Sequence, residues 1–307
     1  MTRGWNGKGN SQPAVERLTG MAAALAWSRA LKVVRCLPMA ATAGFGFIVQ
    51  RPELDVALGV VVVGVLLLAC GCAGINSVQE VRLDRLYRRT CTRPLATGQI
   101  RPGPALAVSA VLVAGGLAVL AGYGWGGLPL SLGLAALVLY NGLYTPLKQI
   151  TVFALIPGGV AGSLPPLIGW TSAGGGLAEP RIWLLFSLFF LWQIPHFCLI
   201  LLCHADDYRA VERPSLIRLF PARRLRRIAL VWIAALAVVA LTLALDDQLQ
   251  SASRLALAGM GLLMPLIPAL PLLGARVDDA RLSLWLLNGG FFLTLLTVTV
   301  AQLLCAG

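Results

Sequence analysis

An all-α polytopic membrane protein with nine transmembrane helices is the fold that this sequence predicts, and three observations predict it. Of its 307 residues, 58% belong to the hydrophobic set and only 12% are charged, too apolar for a soluble chain of this length. The apolar residues run in continuous stretches of about 20, the length of helix that crosses a hydrocarbon core roughly 30 Å thick. The stretches show no two-residue alternation, which excludes an outer-membrane barrel. A disordered chain, a secreted disulfide scaffold and a water-soluble barrel or dinucleotide-binding enzyme are excluded on the same grounds.

In chain order, residues 1–29 carry Arg and Lys but no apolar core followed by a small-residue cleavage site, so no cleaved signal is expected. They read as a cytoplasmic N-terminal segment, ending in a short amphipathic helix over 15–29 on the inner surface. Residues 30–307 read as one intramembrane domain, with spans near 30–49, 56–75, 104–124, 127–145, 151–172, 182–203, 228–245, 255–274 and 283–304. Placing the N terminus in the cytoplasm puts twenty-two of the 25 Lys and Arg on that side and leaves Arg51, Arg181 and Arg254 outside. This positive-inside asymmetry puts the C terminus outside and predicts a multi-pass membrane protein with its N terminus in the cytoplasm. It also accounts for the net charge of +12 without nucleic acid; the lipid bilayer and an anionic substrate are the partners it implies. The seven cysteines form no framework and read as buried, inert thiols.

Two cytoplasmic connections are longer than the rest and dense in charge: 76–101 after the second span and 204–227 after the sixth. If the second helix continues past its apolar run, Asn76, Glu80 and Asp84 fall at i, i+4 and i+8 and share one face. An amide oxygen and two carboxylates along one stripe suit a hard cation such as Mg²⁺, which takes oxygen ligands and is usually completed by substrate phosphates. The alternative is a solvated helix end whose acids pair with Arg82, Arg85 and Arg88.

The sixth span ends Trp192-Gln193-Ile194-Pro195-His196-Phe197 and leads through His204 to Asp206, Asp207, Tyr208 and Arg209, so both histidines of the chain lie within nine residues. A polar group inside a span costs roughly 2.5–3.5 kcal/mol when it is a central Asp or Arg, so each one kept there is a site candidate. For His196 the alternative is a bond to a neighbouring helix. Pro195 frees a backbone carbonyl at Leu191. Between the two segments lie Tyr144-Thr145-Pro146-Leu147-Lys148 and a glycine-rich stretch from Gly158 to Trp170. Those glycines would admit a neighbouring helix or a flat ligand, and Pro165 and Pro166 are expected to break the span near its outer half. The pairs Asp246–Asp247 and Asp278–Asp279 read as solvated loop charge.

Two acidic clusters on one side, with Arg85, Arg88, Arg89, Arg93 and Lys148 beside them, are suited to a diphosphate: divalent ions bridge carboxylates to phosphate oxygens and guanidinium groups clamp the rest. An apolar chamber above them suits an isoprenyl tail. The ring faces of Tyr144, Trp192 or Phe197 would stabilise the allylic cation left when the diphosphate departs.

The run from Asn76 to Leu95 resembles the first Asp-rich motif of the UbiA superfamily of intramembrane prenyltransferases. Its tail, Asp84-Arg85-Leu86 through Arg89-Thr90 to Arg93-Pro94-Leu95, is similar in detail to the heme O synthase branch. Three more stretches agree in order: Tyr144 to Lys148, Gly158 to Trp170, and Pro195-His196-Phe197 leading to Asp206-Asp207-Tyr208-Arg209-Ala210. The resemblance implies a nine-helix UbiA-type bundle that transfers a farnesyl group from farnesyl diphosphate to a vinyl group of heme b. It implies Asn76, Glu80 and Asp84 on one Mg²⁺, with Asp207, and Asp206 nearby, on a second. Arg93 and Lys148 would hold phosphate, and His196 would lie by the acceptor, near the heme iron or its propionates. A heme A synthase or a terminal oxidase assembly is the implied protein partner. Two places depart from the pattern: Glu80 stands where the family usually has Asp, and after Ala210 the chain reads Val211-Glu212-Arg213-Pro214-Ser215-Leu216 where the family tends to a Pro-Met-Leu-Pro-like ending. The other readings are a UbiA-type enzyme for a different acceptor, a quinone precursor or another tetrapyrrole, and a non-catalytic membrane transporter. A transporter predicts charges deep in several spans, whereas here they gather at one face.

Overall fold

The structure, a computed structural model, describes residues 20–122, 127–266 and 276–304, and every regular element among them is helical. A short helix, α1 (Gly20–Ala30), precedes α2 (Val33–Gln50), α3 (Val56–Gln79), α4 (Pro102–Gly122), α5 (Leu128–Leu147), α6 (Val152–Ser172), α7 (Pro180–Cys203), α8 (Ala222–Ala244), α9 (Ser251–Leu263) and α10 (Val277–Leu304). Eight of these, all but α1 and α9, are long and apolar enough to cross a membrane, so the chain is a multi-pass membrane protein. The apolar helix α9 begins the eighth expected span, 255–274, and much of the remainder of that span lies outside the described residues. Of the amphipathic helix expected over 15–29, the described part begins at Gly20; it buries Ala26 and Ala30 and leaves Met21 and Leu25 exposed.

Helix α2 packs on α3 and α6, α3 on α4, α6 on α5 and α7, and α7 on α8 and α10; α10 returns to α2. Lipid tails are as apolar as leucine, so such contacts depend on close backbone approach rather than on escape from water. The α2–α6 crossing shows it: a Cβ at Gly46 would collide with the Pro166 carbonyl oxygen, and one at Gly169 with that of Ala43. Outward-facing Val111, Leu255, Trp285 and Leu296 stay exposed, the normal state for a lipid-facing surface. At the N-terminal end of α7, Arg181 binds Asp246 at 2.5 Å and also Gln248, so Asp246 is a clasp between α7 and the α8–α9 connection rather than free loop charge.

One expectation about the glycine- and proline-rich span is corrected. Its helix runs unbroken from Leu155 to Ser172 through both prolines. Packed neighbours tolerate the lost amide donors, as membrane helices commonly allow. The glycines at 158, 159 and 162 admit neighbouring helices as expected, since added Cβ atoms would meet Tyr144 of α5 and Phe190 and Gln193 of α7 respectively, and all three also line the cavity described below. Gln193 uses that closeness to donate to the Gly159 carbonyl at 3.0 Å.

Helices α2, α3, α5, α6 and α7 surround a cavity of about 450 Å³, bordered at one end by residues from the 80–93 and 208–216 connections.

Candidate active site

The charged end of the cavity is built where α3 stops. The helix reaches Gln79, Glu80 turns out of it at φ −102° and ψ 4°, and a single turn, Val81–Asp84, follows. The stripe expected from i, i+4, i+8 spacing survives this break: Asn76, Glu80 and Asp84 are all buried and all line the cavity.

Each member of the stripe is held by a protein cation. The Lys32 ammonium donates to Asn76 Oδ1 at 2.6 Å, while the Asn76 amide donates to Thr145 Oγ1 at 3.0 Å. Lys148 forms an ion pair with Glu80. One Arg93 nitrogen reaches both Asp84 oxygens at 2.8 Å. The Thr90 hydroxyl donates to the Asp84 carbonyl at 2.8 Å and so folds the following loop back onto the stripe. Lys32, Lys148 and Arg93 all line the cavity, and Arg35 and Arg89 join them. Five cations against two carboxylates leave this end of the cavity positive and fit for a polyanion.

The two ammonium groups feel this field differently. Lost hydration, with the Arg93 charge next, lowers the Lys32 pKa to about 7. Burial pulls Lys148 down as well, but Tyr144 and the Glu80 carboxylate outweigh it and hold Lys148 above the ordinary lysine value. Its ammonium lies 4.8 Å from the centre of the Tyr144 ring, a cation–π distance.

The second acidic segment meets the first across this mouth. Asp207 Oδ1 accepts from the Arg88 backbone N–H at 2.9 Å and Oδ2 from that of Arg89 at 3.4 Å. Tyr208 and Tyr87 approach with ring centroids 5.5 Å apart, and Arg89 donates to the Tyr208 hydroxyl at 3.3 Å. The carboxylates expected at two helix ends therefore do share one face. Asp207 faces the loop rather than the cavity wall, and Asp206 is exposed.

The inner wall is apolar and aromatic. Within α5 a π-helical turn, Val138–Tyr144, is tied to α3: the Asn141 amide donates to the Cys72 carbonyl, and Gln79 donates to the Asn141 carbonyl, both at 3.0 Å. Such turns insert an extra residue and often mark functional sites. Here the turn carries Tyr140 and Tyr144, stacked 5.5 Å apart, onto the cavity wall. From α7, His196 and Phe197 face the same space.

Of the residues singled out from sequence, Asn76, Glu80, Asp84, Arg93, Lys148, Tyr144, His196 and Phe197 come together on the cavity. Arg85, Arg88, Asp206, Asp207 and Trp192 do not line it. Arg85 donates to the Ala96 carbonyl at 3.0 Å, Arg88 is exposed, and Trp192 stacks behind His196 at 4.8 Å. Sequence reasoning missed Lys32, Arg35 and Tyr140 as cavity residues, and it missed Asn288, whose Oδ1 lies 2.9 Å from His196 Nδ1. Lys32 and Arg35 were visible only as inner-face charge. Asn288 was visible as one of two amides, with Gln302, in an apolar span, the signal that could have flagged it.

The donor set fits a hard divalent cation. Asn76, Glu80 and Asp84 offer buried oxygens, and among the described residues no three His, Cys, Asp or Glu side chains converge, so ligand and water oxygens would complete the shell.

Comparison with known proteins places this arrangement. The chain is 43% identical over 209 residues to the protoheme IX farnesyltransferase of Geobacter sulfurreducens, covering 67% of this chain and 74% of that one. It is 37% identical over 207 residues to the enzyme of the same name from Nitratidesulfovibrio vulgaris, covering 67% and 71%. Its fold resembles a solved digeranylgeranylglyceryl phosphate synthase with a TM-score of 0.75 at 16% identity, covering 92% of this chain and 99% of that one. It also resembles a UbiA homologue from Archaeoglobus fulgidus, solved bound to GPP and Mg²⁺, with a TM-score of 0.68 at 18% identity, covering 91% and 99%. The UbiA prenyltransferase family model matches residues 37–295, and with that match spanning most of the cavity-forming helices, the chain belongs to the UbiA prenyltransferase family.

Proposed function

We propose that this intramembrane prenyltransferase moves the farnesyl group of farnesyl diphosphate onto a vinyl group of heme b, forming heme O and releasing diphosphate. The observation that carries the proposal is a single cavity with two opposed characters, five cations and a buried oxygen stripe at its mouth and aromatic walls with one imidazole within. The relatives named above, similar over two-thirds of the chain, support this choice of donor and acceptor.

Arg93 and Lys148 grip the phosphates, with Lys32, Arg35 and Arg89 completing the clamp. Asn76, Glu80 and Asp84 would hold one Mg²⁺, and Asp207, with Asp206 beside it, would serve a second from the opposite lip. When bound, the metal supplies charge neutralisation for the leaving diphosphate. The C1–O bond of the donor breaks and its electron pair leaves with the diphosphate. Tyr140 and Tyr144 turn their ring faces to the allylic cation, and the apolar walls keep bulk water from it. The vinyl π electrons form the new C–C bond, and the adjacent carbon then takes a water oxygen and releases a proton, leaving the hydroxyethyl group. We place the protein in the bacterial cytoplasmic membrane with its N terminus inside and its C terminus outside, and a heme A synthase or terminal oxidase assembly as the recipient of the product.

The test is incubation of membranes carrying the protein with heme b, farnesyl diphosphate and Mg²⁺, with heme extraction as the readout. Heme O is expected only with intact Asp84 and divalent metal. Equal product in EDTA, or with Asp84→Asn, would overturn the mechanism.

A further inference from the structure

A histidine inside a membrane helix must place two ring nitrogens, and both can be followed in α7. His196 Nδ1 lies 2.9 Å from Asn288 Oδ1 on α10. An amide oxygen only accepts, so Nδ1 carries the proton and donates. Nε2 is then the bare, basic position, and among the described residues it has no hydrogen-bond partner. The ring lines the cavity.

Its plane is held as well as its tautomer. Trp192, one turn earlier on α7, stacks on the imidazole at 4.8 Å and 25°, and on its other partner, Phe291, at 4.8 Å and 14°. Phe291 is fully buried and sits three residues after Asn288, on the same face of α10. Two residues of α10 thus lock two residues of α7. A polar amide in the middle of a 28-residue apolar helix is costly, and this one is used to orient an imidazole.

Metal-binding histidines carry this arrangement: one nitrogen donates to a carbonyl-type oxygen, which sets tautomer and orientation, and the other is left free for the metal. We propose that His196 ligates the iron of the tetrapyrrole acceptor through Nε2, and that Asn288 is the positioning residue that holds it in the competent tautomer. This rests on the function proposed above and names how the acceptor is seated. A general base would use the same tautomer, but it would become a cation, and the partner here is a neutral amide, with apolar Phe197, Ile200 and Leu201 on the adjoining wall. A neutral donor to iron pays no such cost of buried charge.

The experiment titrates hemin, and in parallel metal-free protoporphyrin IX, into the full-length protein in nanodiscs, and reads the Soret band and the ferric electron paramagnetic resonance spectrum. Wild type is expected to give a nitrogen-ligated ferric spectrum. His196→Ala should bind metal-free porphyrin as before but lose that signature, and added imidazole should restore it. Asn288→Leu should weaken hemin binding about 10- to 100-fold, the usual effect of removing such a partner, while Asn288→Asp, which keeps an acceptor, retains the wild-type spectrum. If His196→Ala does not fold, the contrast between the two Asn288 variants decides, and equal spectra and affinities in both overturn the proposal. A wild-type hemin spectrum in His196→Ala overturns the ligation and leaves farnesyl transfer to heme b standing, provided heme O is still made. Failure of wild type to bind either porphyrin, together with prenylation of a non-tetrapyrrole acceptor, overturns both.

Discussion

The two acidic segments at the mouth of the cavity share a composition but not a physical state. In the first, Asn76, Glu80 and Asp84 are each no more than 5% exposed and each is matched to its own cation. In the second, Asp206 is exposed and Asp207 spends both oxygens on backbone amides of the opposite loop. Removing one member of a buried, paired set strands its partner, whereas an exposed acid is screened and cheap to change. The first segment is therefore a buried, charge-paired stripe of oxygens, and the second a clasp that joins the two lips.

Breaking each segment in turn should show the difference. Asp84→Asn removes a carboxylate from the stripe and leaves the Arg93 charge without its partner, so heme O formation should fall about a hundredfold or more. Asp207→Asn keeps one oxygen for the Arg88 amide, and its loss should be smaller, on the order of tenfold, with a raised Mg²⁺ requirement. Asp207→Ala should also open the loop, read as faster trypsin cleavage after Arg88 and Arg89. If Asp207→Asn is as damaging as Asp84→Asn and cleavage is unchanged by Asp207→Ala, the clasp assignment fails and the two segments are equivalent.

The contrast also separates what could be read from the chain from what could not. Span length follows from the thickness of a membrane, so it was legible. So was the Asn76–Glu80–Asp84 stripe, because helical spacing is a local rule and the break at Glu80 is too small to scatter it. The pairing of His196 with Asn288 was not legible, since ninety-two residues separate them and only tertiary packing joins them. Nor was the double use of Asp207, which depends on where the opposite loop presents its amides. The unbroken helix through Pro165 and Pro166 contradicts a rule learned in water, where freed carbonyls and displaced neighbours weigh more than they do between packed membrane helices.

Lys32 sharpens the comparison from the cationic side. It is the sole non-glycine residue with positive φ among the described residues, at 53°, because the chain turns the corner between α1 and α2 there. That turn delivers an ammonium to Asn76. Lys32→Met should raise the KM for farnesyl diphosphate about tenfold, the weight of one charge-assisted hydrogen bond, and change kcat less. Equal loss in kcat and kcat/KM would instead mean that Lys32 acts only as the diphosphate leaves.

The smallest effect is expected at Glu80, where this chain departs from the aspartate usual in the resembling family. Glu80→Asp draws the carboxylate back by one methylene, away from Lys148, while Lys148 keeps the ring of Tyr144 beneath its ammonium. A flexible lysine can follow the shorter acid, and the neighbouring oxygens of Asn76 and Asp84 are untouched by the change. Turnover and the Mg²⁺ concentration for half-maximal activity should therefore each move by less than about threefold, under ~0.7 kcal/mol. A shift beyond about tenfold in the Mg²⁺ titration would mean that the length of this side chain sets the first metal position, and that the buried segment tolerates no slack where the exposed one does.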